Sequence, residues 1–490
     1  MQLSSTSDFD GSVANNCSLT TQSININKIS INLQKLAETM LSKSRFEMAV
    51  SLFCTAITFE PGRTVLMNQL GQALQNIGNK DDAELCFRGV IPDSINEKYF
   101  NYNDVSDRVL CAQTCANTRI LPGFAAENID LVKPQGNSTE KKYNQFNYRK
   151  TEARESFCTD TVNGTIWFDG FNTIVLDSNK SIFKEHIKGN EFVCFQAALL
   201  REPVKLTGTA CFLSSRSSNI YYHWMLDLLP KLGVVEKSGL KLDDIDHFIV
   251  EAKACYQLES LRLCGVPEKK IRFSNNIQYF HAERMIVPFL RNDLGERVYR
   301  GLGIGLASWI PAYLRKNINS VERYADEVFS SSSMNSPTIG KGNKKIQRIF
   351  ISRSIQDSRN LAEESKVVEE LESRGFTKVE FENYSVLQQA QIMSQAEIVI
   401  GVHGAGLTNL SFCSTGTRVI EIFGDYVVPC YWALCAVAGL KYTQYLADSV
   451  ADGVHTNNSG QQVKKLRSQK IQLDVNDFIR FVDNQLEHCG

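Results

Sequence analysis

Hydrophobic and polar positions divide the 490-residue chain into stretches of different period. Residues 1–28 are rich in Ser, Thr and Asn and poor in apolar positions, and are predicted to be disordered. From 29 to 95 the apolar positions fall at helical spacing, and the pattern occurs twice. Leu36, Ala37, Ala49, Phe53 and Ala56 return as Leu70, Gly71, Ala83, Phe87 and Val90, each 34 residues later. Small residues alternating with large ones at that period is the pattern of tetratricopeptide helix pairs; a plain pair of helical hairpins is the alternative. Two such units cannot bury a solenoid core alone, so they are expected to lean on a following domain or on a partner.

After an irregular stretch, apolar alternation resumes at 173–176, 194–199, 210–213, 248–250 and 285–287, with helical stretches at 221–237 and 256–264. Strands alternating with helices predict an α/β sheet. Residues 100–329 are therefore read as a Rossmann-like domain and 330–346, whose core is SSSSMNSPTIGKGNKK, as a linker. Residues 347–490 repeat the alternation more compactly. Strands are predicted at 348–352, 377–381, 397–401 and 418–423, and helices at 361–373 and 385–394. A last apolar helix, 475–486, is expected to pack back across the cleft between the two domains. The fold class is α/β: two Rossmann-like domains preceded by a short α-helical repeat segment.

Composition narrows the function. Hydrophobic residues at 43% and charged residues at 22% are ordinary for a globular protein. A formal net charge of −1 gives no basic excess for nucleic acid. No run of about 18 apolar residues predicts a transmembrane helix, and the polar N-terminus does not read as a secretory signal. The 14 cysteines are scattered and contain no C-x-x-C, so neither a zinc framework nor a redox motif is predicted. Reduced thiols and a cytoplasmic location are expected, peripheral at the inner face of a membrane as one option.

Candidate chemistry sits where elements end. Glu397 to Asn409, EIVIGVHGAGLTN, reads as a buried strand entering a turn of Gly401, His403, Gly404, Ala405 and Gly406 that opens a helix through Thr408 and Asn409. Outward backbone N–H groups and close-approach glycines suit a diphosphate. The lysine of a Walker loop is missing and G-x-G-x-x-G does not fit, and a tight strand-to-helix connection is the plain alternative. Glu421, inside the apolar run VIEIF, needs a partner, and ribose hydroxyls are the partner expected at a strand end near a nucleotide. Arg348, Arg353 and the pair Arg359 and Asn360 form a second cluster, in which a guanidinium could fork onto phosphate oxygens. In the third, YYHWMLD, His223 and Asp227 are four apart and share a helix face. They suit a general base with an orienting partner, or a mere surface pair. Asp244-Ile245-Asp246 imitates a metal-binding D-x-D but lies in a polar turn.

Taken together, YYHWMLDLLPKL, RIFISRS with Arg359 and Asn360, a helix bearing Gln389, VIGVHGAGLTNL, VIEIF and Tyr431-Trp432 resemble glycosyltransferase family 61 over roughly 160–450. The resemblance implies a GT-B-type fold, an activated sugar donor and inversion at the anomeric carbon, as in capsular or surface polysaccharide synthesis and xylosyl transfer. It places Arg353, Arg359, Asn360, His403, Gly404, Ala405, Gly406, Thr408, Asn409 and Glu421 on the nucleotide side. It places His223 and Asp227 on the acceptor side, with the choice of base between them open. Leu361 stands where an acidic residue often follows the asparagine. A nucleotide-sugar, with UDP the first expectation, is the only small molecule implied. No metal ligand set is predicted, and dependence on a divalent metal stays open. Expected partners are a glycan, lipid-linked or protein acceptor and a protein bound by the helical repeats. The alternative is a non-catalytic tetratricopeptide adaptor with a transferase-like binding domain.

Overall fold

The structure, a computed structural model, describes residues 26–60, 62–99, 108–137, 144–170, 172–189, 194, 197–198, 203–273, 278–290, 304–319, 346–353, 359–450, 455–456, 462–463 and 470–487. The predicted disordered segment and the linker lie almost wholly outside them. The chain divides into two compact units, 1–105 with 195–200, and the remainder.

The first unit is helical: Ile26–Ser42, Phe46–Phe59, Thr64–Asn76, Lys80–Phe87 and Asp93–Tyr99. The small positions of the 34-residue pattern are buried in both copies, Ala37 with Gly71 and Ala49 with Ala83. A side chain on Gly71 would strike Phe87, whose ring lies 2.7 Å from an ideal Cβ there. The last two positions of the pattern are not equivalent. Phe53 and Ala56 are fully buried, whereas Phe87 and Val90 are 44% and 45% exposed. The fourth helix explains this: it spans only eight residues, so Phe87 is its last residue and Val90 lies beyond it.

The second unit holds two sheets. In the first, the twelve-residue strands Phe157–Phe168 and Gln278–Phe289 run antiparallel at the centre. On one side, Val204–Phe212, His247–Ile249 and Ile271–Arg272 follow Gln278–Phe289 in parallel. On the other, Thr118–Pro122 and Thr173–Leu176 pair antiparallel with Phe157–Phe168. Only the parallel side matches the Rossmann-like expectation. Between Phe168 and Thr173 and between Leu176 and Ile182 the chain is too short for a crossover helix. Successive strands there can only return antiparallel.

The second sheet is parallel throughout, in the order Thr377–Val379, Arg348–Ile351, Ile398–Val402, Arg418–Phe423, Lys441–Leu446, Gln135–Gly136. Its central strands, Arg348–Ile351, Ile398–Val402 and Arg418–Phe423, are buried along almost their whole length because packing covers both faces. Glu364–Ser373 and Val475–Glu487 pack on one face, where Phe350, Ile400, Leu371 and Phe478 share a core. The last helix therefore lies on its own sheet, tied by Arg374 to Asp483 at 2.6 Å, and not across the cleft as expected. The other face belongs to a core continuous with the first sheet, joining Leu213, Trp224 and Val250 to Ile351, Val399 and Leu407. Polar ties reinforce that union. Glu259 accepts the backbone N–H groups of Val386 (2.9 Å) and Leu387 (3.1 Å) at the start of the helix Val386–Ser394. Arg315 donates to the carbonyls of Ser411 and Cys413. Gln135–Gly136 crosses from the earlier half of the chain to become the edge strand of the second sheet.

Candidate active site

The second sheet reverses its strand order beside Arg348–Ile351: the strand after it in sequence lies on one side and Ile398–Val402 on the other. In open α/β sheets, ligands bind at that crevice, off the carboxyl ends of the strands. Arg353 follows the first of these strands by two residues, and His403 follows the second directly. The sequence places a cation and an imidazole at the position the topology favours.

Gly404 makes the junction possible. Its backbone is extended, so conformation does not require glycine; space does. An ideal Cβ there would lie 1.8 Å from an Nη of Arg353. The guanidinium thus lies against the backbone of the glycine turn. Gly401 and Gly406 are less crowded, their ideal Cβ positions lying 3.0 Å from Leu407 and 3.1 Å from Ile351. Arg353 is 9% exposed, and its pKa is held down to about 10 by burial, with Arg359 adding to the shift. Arg359 itself lies over the ring of Tyr426, 5.5 Å from its centroid. Two neighbouring guanidiniums, one of them desolvated, form a place where an anion relieves repulsion. Beyond the turn, Ala405–Phe412 is 3₁₀-helical, not α-helical.

Glu421 is fully buried and both its oxygens are engaged. His403 Nδ1 lies 2.6 Å from one, and Tyr442 donates to the other at 2.6 Å. The partner expected from ribose is thus supplied by the protein, because Glu421 lies mid-strand, opposite Gly401, with no accessible surface. The His403 ring is walled by Phe423, Tyr426 and Tyr431. Thr408 and Asn409 likewise have partners within the protein. Thr408 is 1% exposed with its hydroxyl 3.4 Å from that of Tyr431. Asn409 is fully buried, donates to Gln389 at 2.8 Å and accepts from Tyr221 at 2.8 Å. Both are struts behind the turn, since the 3₁₀ segment turns their side chains into the core. Ala405 and Gly406 stay partly exposed at its start. The backbone carbonyl of Asn360 accepts from Ile471 at 2.9 Å, which anchors the segment bearing Arg359. Arg348 donates to the carbonyl of Arg374, remote from the turn.

The motif helix begins with Tyr221–His223, widens to a π-turn over Trp224–Leu228 and continues as Pro230–Lys237. Pro230 has no N–H to offer the carbonyl four residues back, and Leu229 N reaches Trp224 O at 3.0 Å instead. His223 Nδ1 lies 2.6 Å from Asp227 Oδ2, and these side chains are 35% and 22% exposed. A run of ring contacts joins this pair to the turn: His223 with Tyr222, Tyr222 with Tyr431, Tyr431 with His403, with centroids 5.2, 5.7 and 5.5 Å apart. The two clusters are neighbours.

Residues 221–420 match the family model of glycosyltransferase 61. Over 150 residues, 29% of this chain, the sequence is 26% identical to the EGF domain-specific O-linked N-acetylglucosamine transferase of Drosophila melanogaster, 28% of which is covered. The Xenopus laevis protein of that name is 34% identical over 99 residues, 20% of this chain and 18% of that protein. The Rattus norvegicus one is 28% identical over 139 residues, 28% and 26% of the respective chains. The matches thus span less than a third of each relative's length. The match to the glycosyltransferase 61 model starts at Tyr221 of the motif helix and ends inside the strand that carries Glu421.

Several site residues carry no motif signal. Tyr442 shares a sheet face with Glu421 only through the register of two strands. Lys231, 4% exposed, donates to the carbonyls of Leu213 and Ser214 and fixes the loop that enters the motif helix. Asp246 accepts Thr209 N at 2.8 Å and is a backbone cap, as its place in a turn suggested. Among the described residues no group of three or more His, Cys, Asp or Glu could hold a metal ion. Their cysteines are all free thiols, buried except for Cys111 and Cys255. No described helix is long and apolar enough to cross a membrane.

Proposed function

We propose that the chain is an inverting glycosyltransferase that moves a sugar from a nucleoside-diphosphate donor to a hydroxyl acceptor. The observation that carries the reading is the pairing of Arg353 with the glycine turn at the switch point, inside the glycosyltransferase 61 match. The leaving diphosphate would rest on Arg353, Arg359, His403 and the N–H groups at Ala405 and Gly406, where oriented dipoles and cations stabilise its growing charge. The acceptor hydroxyl would lose its proton to the His223–Asp227 pair and attack the anomeric carbon from the face opposite the leaving group. UDP is the nucleotide and N-acetylglucosamine the sugar to test first, the latter from the names of the relatives. A glycan, lipid-linked or protein acceptor, a GT-B-type reaction cycle, a cytoplasmic setting in surface-glycan synthesis and a tetratricopeptide-type partner surface on residues 26–99 complete the proposal.

Thermal unfolding with a panel of UDP- and GDP-sugars tests it. A donor at about 100 times its dissociation constant adds roughly 2.7 kcal/mol to stability. A panel that leaves the melting curve unmoved and yields no transfer or hydrolysis removes the enzyme reading and favours the adaptor.

A further inference from the structure

We infer that Tyr426 is a positioning residue that holds the Arg359 guanidinium beside the glycine turn for the donor diphosphate. The inference rests on the diphosphate reading above. Its first observation lies in the backbone. Arg359 has a φ of 59°, in the left-handed region that Gly and Asn adopt more readily than a long side chain does. Such a conformation persists only where the surroundings over-determine it. Here Ile471 donates to the Asn360 carbonyl at 2.9 Å and accepts from Ala362 N at 2.8 Å, which clamps the chain just after Arg359. The second observation is where the side chain ends. Its guanidinium carbon lies over the Tyr426 ring, 5.5 Å from the centroid, where the electron-rich face attracts a cation. Tyr426 follows the strand Arg418–Phe423 by three residues, is half-buried, and packs its ring 5.7 Å from that of His403. Burial first and the Arg359 charge second hold the Arg353 pKa down to about 10, so the two cations stand within each other's field. Arg353 in turn fills the space that a Gly404 side chain would need. The clamped backbone fixes where the Arg359 side chain starts, and the ring fixes where it ends. The ring face offsets the repulsion from Arg353, so a diphosphate meets both cations already in place.

The test is a double-mutant cycle read by calorimetric titration of the full chain with UDP and with GDP. It compares wild type, Tyr426→Leu, Arg359→Gln, the double variant and Tyr426→Phe. Loss of the ring face in Tyr426→Leu should weaken binding about 3- to 10-fold. Tyr426→Phe keeps that face and should stay within about 2-fold of wild type. Arg359→Gln should weaken binding roughly 10- to 100-fold. In the Arg359→Gln background, Tyr426→Leu should cost less than about 2-fold, because the ring then has no cation to hold. Should Tyr426→Leu fail to fold, Tyr426→Met takes its place in the cycle. An equal loss in both backgrounds means that Tyr426 acts without Arg359, and overturns the positioning role. No loss in Tyr426→Leu, or a loss as large in Tyr426→Phe, overturns it as well. Each of these outcomes leaves the diphosphate site standing. Full affinity in Arg359→Gln overturns the inference by taking Arg359 out of the site. A wild-type chain that binds neither UDP nor GDP overturns the diphosphate site and the positioning role with it.

Discussion

Two histidine–carboxylate pairs of identical contact distance stand in this molecule, and their surroundings are opposite. His223–Asp227 and His403–Glu421 each join Nδ1 to a carboxylate oxygen at 2.6 Å. The first pair is 35% and 22% exposed, the second 7% and 0%. The first lies on one helix and meets solvent, where an acceptor hydroxyl would arrive. The second is assembled from two strands and closed in by three rings and a tyrosine hydroxyl. In the proposed reaction a proton is exchanged with the acceptor at the first pair, whereas the second is shut off from solvent. In the proposed reaction the same chemistry is a base when wet and a fixed ligand when dry.

The sharpest way to break that contrast is Asp227→Asn. Asn keeps the shape and cannot take the proton, and loss of general-base assistance typically costs about 10²–10⁴-fold in rate. Single-turnover transfer should fall by that factor while UDP affinity holds. A rate within a few-fold of wild type moves the role to His223. Full activity in both Asp227→Asn and His223→Ala makes the helix pair structural.

His403→Ala should act on the other quantity. Removing a charge-assisted hydrogen bond costs about 1.5–3 kcal/mol, which appears as weaker UDP binding in a calorimetric titration. Unchanged affinity in a folded variant takes His403 out of the nucleotide site. Gly404→Ala should reproduce the loss without touching either histidine, because its Cβ would occupy the place of the Arg353 guanidinium. UDP binding as tight as wild type would show that Arg353 does not hold the diphosphate.

The contrast also separates what the chain announces from what it hides. His223 and Asp227 are four residues apart, and a helix brings them together without any knowledge of the fold. The strand–turn–helix order around His403 is likewise local, so Arg353 and the glycine turn were legible as ends of strands. Glu421 announced its need for a partner by sitting in an apolar strand, but not which partner. His403 and Tyr442 reach it through strand register, which no local pattern encodes. The burial of Thr408 and Asn409 was not legible, because the sequence read as an α-helix where the segment is 3₁₀-helical. The antiparallel half of the first sheet was missed because alternation marks a strand without giving its direction. The last helix, apolar along one face, fitted either a cleft or its own sheet; Phe478 and Val482 bury against the latter.

The smallest expected effect lies between the two pairs. The Tyr221 hydroxyl donates to Asn409 at 2.8 Å and lies 3.1 Å from the Gln389 carbonyl oxygen, which also accepts from Asn409 at 2.8 Å. Gln389 in turn donates to the carbonyls of Phe381 and Tyr384. Burial pushes the Tyr221 phenol well up, which favours the protonated form that donates. This network fastens the start of the motif helix to the segment behind the glycine turn, and so sets the spacing between the pairs. Tyr221→Phe keeps the ring and leaves the Asn409 oxygen buried without its donor, at a cost of about 1–3 kcal/mol in stability. Urea unfolding should show that loss as a lower midpoint with an unchanged slope. UDP affinity should stay near wild type, and transfer should fall only a few-fold as the helix loses its register to the turn. A variant of wild-type stability with transfer reduced as far as in Asp227→Asn would assign the hydroxyl to the acceptor, and the network would no longer account for Tyr221.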